Sequence, residues 1–271
     1  MKMDATSDRP ILRSSNLAAG TGAPVLLLHG SASAGVMWVP VIDALKSRFR
    51  VIAPDLIGYG RTDSWPDGHG FGVDDELRLV EPLLPHAPAG VHVVGHSYGG
   101  VVALHLALAG RVPIRSLTLI EPVAFFLLPH AGGAQAAWRE IEALGQIYAA
   151  RIAAGETQMA LRGFIDYWAG GGAWDAMDES LRAQIGRSAQ KIVLDFEVTF
   201  TDPGVQALRA LTCPVRLISG GRSRIPTQRI SAFLTEQIPG ATLEIVDDAN
   251  HLLPVTHQAM LGAFLLEQLA E

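Results

Sequence analysis

The sequence predicts an α/β fold, a mostly parallel, doubly wound sheet carrying an inserted helical cap, and three observations lead to it. Four short apolar runs rich in β-branched residues, at 25–28, 91–94, 117–120 and 215–218, lack strict apolar/polar alternation and suit parallel strands buried on both faces. Helix-length segments lie between most of them, as βαβ connections require. The stretch 124–205 breaks this rhythm, because Trp138, Ile141, Leu144, Tyr148, Leu161, Phe164, Tyr167 and Trp168 recur at helical spacing with no convincing strand among them.

Along the chain, the run at 25–28 is followed by a helix at about 36–47 and a weaker strand at 51–53. A reversal at 54–60 leads to a helix at about 74–84, then the strand 91–94, a helix at 98–109 and the strand 117–120. These elements assign residues 1–123 and 206–271 to the core and 124–205 to the helical cap, with Gly132, Gly133 and Gly170 to Gly172 as its hinges or corners. Beyond the cap come the strand 215–218, a reversal at 220–226, a helix at 227–237, a weaker strand at 243–246 and a last helix to about Leu269. Reversals at strand ends are where open α/β sheets bind ligands.

Composition narrows the classes. Of 271 residues, 49% are hydrophobic and 18% charged, enough apolar surface for one large core and too much for a disordered chain. A net charge of -6 lacks the basic excess that draws nucleic acid or anionic lipid. The single cysteine, Cys213, excludes an intramolecular disulfide framework and is read as a core thiol at a strand entry. The N-terminal residues carry charge without an apolar h-region, and no apolar run is long enough for a membrane span, so the expected location is cytoplasmic.

Gly95, His96, Ser97, Tyr98 and Gly99 spell G-x-S-x-G between a strand and a helix, the context that gives this pentapeptide its meaning. A nucleophile on so tight a turn needs neighbours without bulk at positions two before and two after, which Gly95 and Gly99 supply. The turn lifts the Ser97 hydroxyl above the sheet and aims the Tyr98 backbone N–H, at the positive end of a helix, toward a developing oxyanion.

His29, Gly30 and Ser31 after the first strand, and the loop Asp55-Leu56-Ile57-Gly58-Tyr59-Gly60-Arg61-Thr62, complete three motifs in an order and spacing that resemble the α/β-hydrolases. The resemblance runs from about Val25 to Phe264 outside the cap. It implies the α/β-hydrolase fold, a serine hydrolase activity, an oxyanion hole from the backbone N–H groups of Ser31 and Tyr98, and a structural role for Asp55 in holding its loop. It also places the family's histidine at His251, after the strand 243–246; His257 is the competitor. A serine hydroxyl needs a base of suitable pKa, which imidazole provides.

One position departs from the family's pattern. Its usual aspartate would stand at Ser223, and the loop from Gly220 to Pro226 contains no carboxylate. Glu121, directly after the strand 117–120 and before Pro122, stands where haloalkane dehalogenases and some lipases of this fold place their acid, so it is the expected third member. Asp195, Asp202 or a dyad without an acid are the fallbacks.

The aromatic cap, with Phe125 and Trp168 as candidate substrate contacts, favours a small or medium, largely apolar carboxylic ester cleaved through an acyl-enzyme. Lactones, C–C bonds of β-diketones or meta-cleavage products, and cofactor-free perhydrolysis would use the same residues. Ser97 argues against dehalogenase and epoxide-hydrolase chemistry, which in this fold need a carboxylate nucleophile. From another class, a non-catalytic ligand-binding protein on a hydrolase scaffold remains open. No cofactor or metal is expected; the partner is a small ester-like molecule rather than nucleic acid or membrane, and a homodimer is compatible with the sequence.

Overall fold

The structure, a computed structural model, describes residue 10, residues 12–66 and residues 69–270. Its strands are β1 (Asn16–Ala19), β2 (Ala23–Leu28), β3 (Phe49–Pro54), β4 (Val91–His96), β5 (Ile114–Ile120), β6 (Val215–Gly220) and β7 (Thr242–Val246). They form one sheet in the order β1-β3-β2-β4-β5-β6-β7, with β1 antiparallel to β3 and the other pairings parallel. The four apolar runs are its central strands. Because successive side chains point to opposite faces, Leu26 and Leu28 enter one core while Val25 and Leu27 enter the other.

Helices α1 (Val39–Leu45), α2 (Val73–Val80) and α3 (Tyr98–Ala109) flank the first half of the sheet. The segment between β5 and β6 is helical, comprising α4 (Gln135–Ala153), α5 (Thr157–Ala169), α6 (Ala173–Ala176), α7 (Glu179–Gly186) and α8 (Ala189–Thr199) with short 3-10 turns at either end. The chain closes with α9 (Ile225–Gln237), α10 (Leu253–Thr256) and α11 (Gln258–Gln268). One core joins α2, α3, α9 and the insertion on one face; the other joins α1 and α11 on the opposite face. Every residue of α3 from Tyr98 to Leu106 is buried, which explains why the run is apolar apart from His105. No helix among the described residues is long and apolar enough to cross a membrane.

Several boundaries differ from the sequence reading. The helix expected at 36–47 opens as a 3-10 turn, Gly35–Trp38, and becomes α-helical at Val39; the one expected at 74–84 becomes 3-10 at Glu81–Leu83, which contains Pro82. Helix α9 starts two residues early because Pro226 fits the first helical turn, so the reversal after β6 is shorter than 220–226. Strand β1 was not foreseen: it is a short, mostly exposed edge with no apolar run to announce it. Gly133 and Gly170 to Gly172 do stand at corners, before α4 and between α5 and α6. The N-terminal residues read as lacking an apolar leader, 1–9, lie outside the described residues.

Candidate active site

Ser97 stands between β4 and α3 with φ 55° and ψ −120°, a strained conformation for an L-residue. The flanking glycines make the turn sterically possible. A Cβ on Gly95 would lie 2.3 Å from the Gly99 carbonyl oxygen, and one on Gly99 would lie 2.4 Å from the carbonyl oxygens of Leu28 and His29. The Ser97 N–H donates to the Ile120 carbonyl at 3.0 Å, tying the turn to the end of β5.

His251, in the turn after β7, presents Nε2 to the Ser97 hydroxyl at 3.0 Å and Nδ1 to Glu121 Oε2 at 3.2 Å. Its ring is buried, and Trp168 of α5 lies over it with ring centroids 4.2 Å apart. Glu121 is fully buried and has φ 49°. Its second oxygen, Oε1, accepts from Ser219 Oγ at 2.9 Å, the Gly220 N–H at 2.6 Å and Ser223 Oγ at 2.8 Å. Burial alone would raise this carboxyl's pKa, but the hydrogen bond and charge of His251, the Gly220 N–H and the Ser223 hydroxyl outweigh it and draw it down to about 2. Ser223 is therefore a donor to Glu121. Asp195 and Asp202 bond elsewhere, Asp195 to Ser31 and Tyr59, Asp202 to His130 and the Gly204 N–H.

On the other side of Ser97, a Cβ on Gly30 would meet the Ser97 Cβ at 2.9 Å, so the loop after β2 approaches as closely as only glycine permits. His29 fixes that loop, with Nδ1 donating to the Gly30 carbonyl at 2.8 Å and Nε2 accepting from the Leu56 N–H at 2.9 Å. Asp55 ties two loops together, accepting from the Gly35 N–H at 2.8 Å and the Arg61 N–H at 3.0 Å. The backbone N–H groups of Ser31 and Tyr98 meet no acceptor among the described residues, which leaves them available to a ligand.

A small cavity opens over Ser97, lined by Ser31, Val123, Phe125, Phe164, Trp168, Ile192 and Asp195 among others. Phe125 and Trp168, singled out from the sequence, line it together, their parallel rings 6.4 Å apart. Sequence reasoning did not find what surrounds Asp195: Lys191, one helical turn earlier on α8, and Glu76 of α2 are buried with it. Lysine and aspartate four residues apart on an apolar helix were the available signal.

The buried imidazoles set a limit on stability. Burial holds His29 at about 4, and burial together with the neighbouring His251 holds His96 at about 3, against an ordinary 6.5. Both stay neutral in the folded protein, whereas the unfolded chain takes up protons below about pH 6.5, so stability present above that pH is lost as it falls toward 4 and 3. At roughly 1–2 kcal/mol for each of the two histidines, Tm at pH 5 is expected to lie roughly 5 °C or more below Tm at pH 7.5. Equal melting temperatures by circular dichroism at the two pH values would contradict this.

The comparisons with known proteins agree on the architecture. A model of the alpha/beta hydrolase family matches residues 25–263. Haloalkane dehalogenase 2 of Mycobacterium tuberculosis is 31% identical over 101 residues, which are 37% of this chain and 35% of that protein; the chain thus matches about a third of that relative's length. The 2-hydroxymuconate semialdehyde hydrolase of Pseudomonas sp. is 28% identical over 272 residues, covering 93% of this chain and 88% of the relative. Among solved structures, MGS-M2, an alpha/beta hydrolase enzyme from a Medee basin deep-sea metagenome library, superposes with a TM-score of 0.80 at 15% identity, covering 95% of this chain and 94% of that one.

Proposed function

The chain belongs to the alpha/beta hydrolase family, and from that premise we propose that it is a serine hydrolase cleaving a small or medium, largely apolar carboxylic ester. The observation that carries this reading is the unbroken hydrogen-bonded chain from Ser97 through His251 to Glu121 beneath an apolar cavity. Ser97 Oγ attacks the ester carbonyl carbon while His251 Nε2 takes its proton. The oxyanion so formed accepts from the N–H groups of Ser31 and Tyr98. Glu121 keeps the Nδ1 proton in place and stabilises the imidazolium, which then protonates the departing alcohol. Water, deprotonated by the same imidazole, releases the acid from the acyl-serine and restores the free hydroxyl.

A second reading, hydrolysis of a C–C bond next to a carbonyl, is favoured by the likeness to the 2-hydroxymuconate semialdehyde hydrolase along nearly the whole chain. Dehalogenation is disfavoured despite the likeness to Haloalkane dehalogenase 2, because a hydroxyl stands where that chemistry needs a carboxylate. A half-buried Cys213 without a disulfide partner accords with a cytoplasmic protein.

The helical insertion is proposed to set chain-length preference. A panel of p-nitrophenyl esters from acetate to decanoate tests both ideas: short acyl chains are expected to be cleaved best, given the cavity's size. Phe125→Ala is expected to raise the octanoate-to-acetate ratio of kcat/KM by roughly tenfold, since each methylene accommodated is worth about 1 kcal/mol or more. Trp168→Ala is expected to shift the same ratio and also to slow every ester, because its ring covers His251. No turnover on any ester of the panel would remove the ester reading, and an unaltered ratio in both variants would remove the insertion's role.

A further inference from the structure

Asp195 lines the cavity over Ser97, yet it has no part in the hydrolytic chain described above. It is buried, and three donors hold it. Oδ2 accepts from Ser31 Oγ and from the Tyr59 hydroxyl, both at 2.5 Å, and Oδ1 is bonded to Lys191 Nζ. Two hydroxyls and an ammonium aimed at one carboxyl fit its ionised form, which accepts at about four lone-pair sites and donates at none. One site is left over.

The counter-cation lies away from the cavity. Lys191 Nζ also meets Glu76 Oε1 at 3.0 Å and sits 4.5 Å, 4.6 Å and 5.2 Å from the ring centres of Tyr98, Phe71 and Tyr59. Burial alone would discharge this ammonium, and the carboxylates of Asp195 and Glu76 keep it protonated. Its charge is shared between two anions inside an aromatic box, and it is not among the cavity's lining residues. A ligand above Ser97 therefore meets the Asp195 carboxylate and the Ser31 side chain, and no Lys or Arg among the described residues lines the cavity beside them. Ser31 fixes the relation to the reacting carbonyl, because the residue whose N–H is left for the oxyanion is the one whose hydroxyl grips Asp195.

We propose that Asp195 is a specificity-determining residue that favours neutral acyl groups bearing a hydroxyl close to the carbonyl and rejects acyl groups that carry a second carboxylate. The inference rests on the ester reading for its substrate class. Physically, a hydroxyl on the first or second carbon from the carbonyl fills the open lone-pair site, whereas a carboxylate faces a like charge in a mostly apolar cavity and must shed its own hydration.

Three esters of similar size separate the effects: ethyl butanoate, ethyl 3-hydroxybutanoate and monoethyl succinate. Binding is read by ligand-observed NMR on Ser97→Ala, where cleavage is too slow to deplete the ester, and turnover is read on the parent enzyme in a pH-stat at pH 7.5. Relative to ethyl butanoate, the hydroxy ester is expected to bind several-fold more tightly, and monoethyl succinate roughly tenfold or more weakly. With Asp195→Asn added to Ser97→Ala, the succinate penalty is expected to shrink to about threefold or less. Equal binding of butanoate and succinate esters, no binding of any of the three, or a penalty that survives Asp195→Asn would overturn the proposal. If Asp195→Asn fails to fold because Lys191 loses a partner, the order measured on Ser97→Ala alone decides. The expected binding order without turnover in the parent would sink the ester reading and keep Asp195 as the selecting group, whereas turnover with a flat order would do the reverse.

Discussion

Ser97→Ala is expected to lower ester hydrolysis by roughly a thousand-fold or more while leaving the fold intact. The substitution removes one hydroxyl, and alanine tolerates φ 55° no worse than serine, so the strained turn and its N–H bond to Ile120 persist. His251 keeps its contact with Glu121. A fluorophosphonate probe gives the same answer without a substrate: covalent labelling at Ser97 in the parent and none in the variant. A variant that turned over esters at the parent rate would end the assignment of the nucleophile. A folded parent that refused the probe would favour the non-catalytic binding protein.

Glu121→Gln is expected to reduce kcat by roughly a hundred-fold to ten-thousand-fold with KM little changed, against less than about tenfold for Ser223→Ala. The geometry explains why the near-isosteric amide should be so damaging. If its NH2 takes the place of Oε1, it faces three donors, from Ser219, Gly220 and Ser223. If it takes the place of Oε2, it faces Nδ1 of His251 and drives the proton to Nε2, where the ring can no longer accept from Ser97. Neither orientation restores the charge. Ser223 Oγ lies 2.8 Å from Glu121 Oε1, so Ser223→Asp in the Glu121→Gln background puts a carboxylate at the family's usual position and is expected to return part of the rate. Near-normal turnover in Glu121→Gln would refute the role proposed for this residue.

What could be read from the chain alone divides along physical lines. The central strands and α3 were legible because burial on both faces writes itself as mostly apolar runs, and the glycines at 95 and 99 because backbone contact at 2.3–2.4 Å admits nothing larger. The absence of an acid at 223 was legible, and Glu121 could be named from its place at a strand end. That the Ser223 hydroxyl would serve Glu121 was not, since the bond spans 102 residues of sequence. The cluster of Lys191, Asp195, Glu76, Tyr59 and Ser31 was hidden for the same reason: its members come from α8, α2 and two loops, and only the folded chain gathers them. Edge strand β1 has too little apolar surface to leave a trace.

His96 and Ile120 are direct partners across β4 and β5, and Ser97 and Glu121 are the first residues beyond each strand. The separation between hydroxyl-bearing and carboxylate-bearing backbone is thus set by a single rung of the sheet, reinforced by the Ser97 N–H to Ile120 bond and by the Glu121 N–H donating to Ile218 at 2.9 Å. Had the charge stood at 223, its position would have inherited the tolerance of a loop, in which small torsional errors accumulate from residue to residue. Anchored as it is, the acid has the positional variance of a strand terminus, and the connection after β6 is relieved of carrying charge. Its remaining duty toward the acid is to supply donors, a demand that many loop sequences meet, so drift in that connection leaves the spacing of Ser97 and Glu121 unchanged.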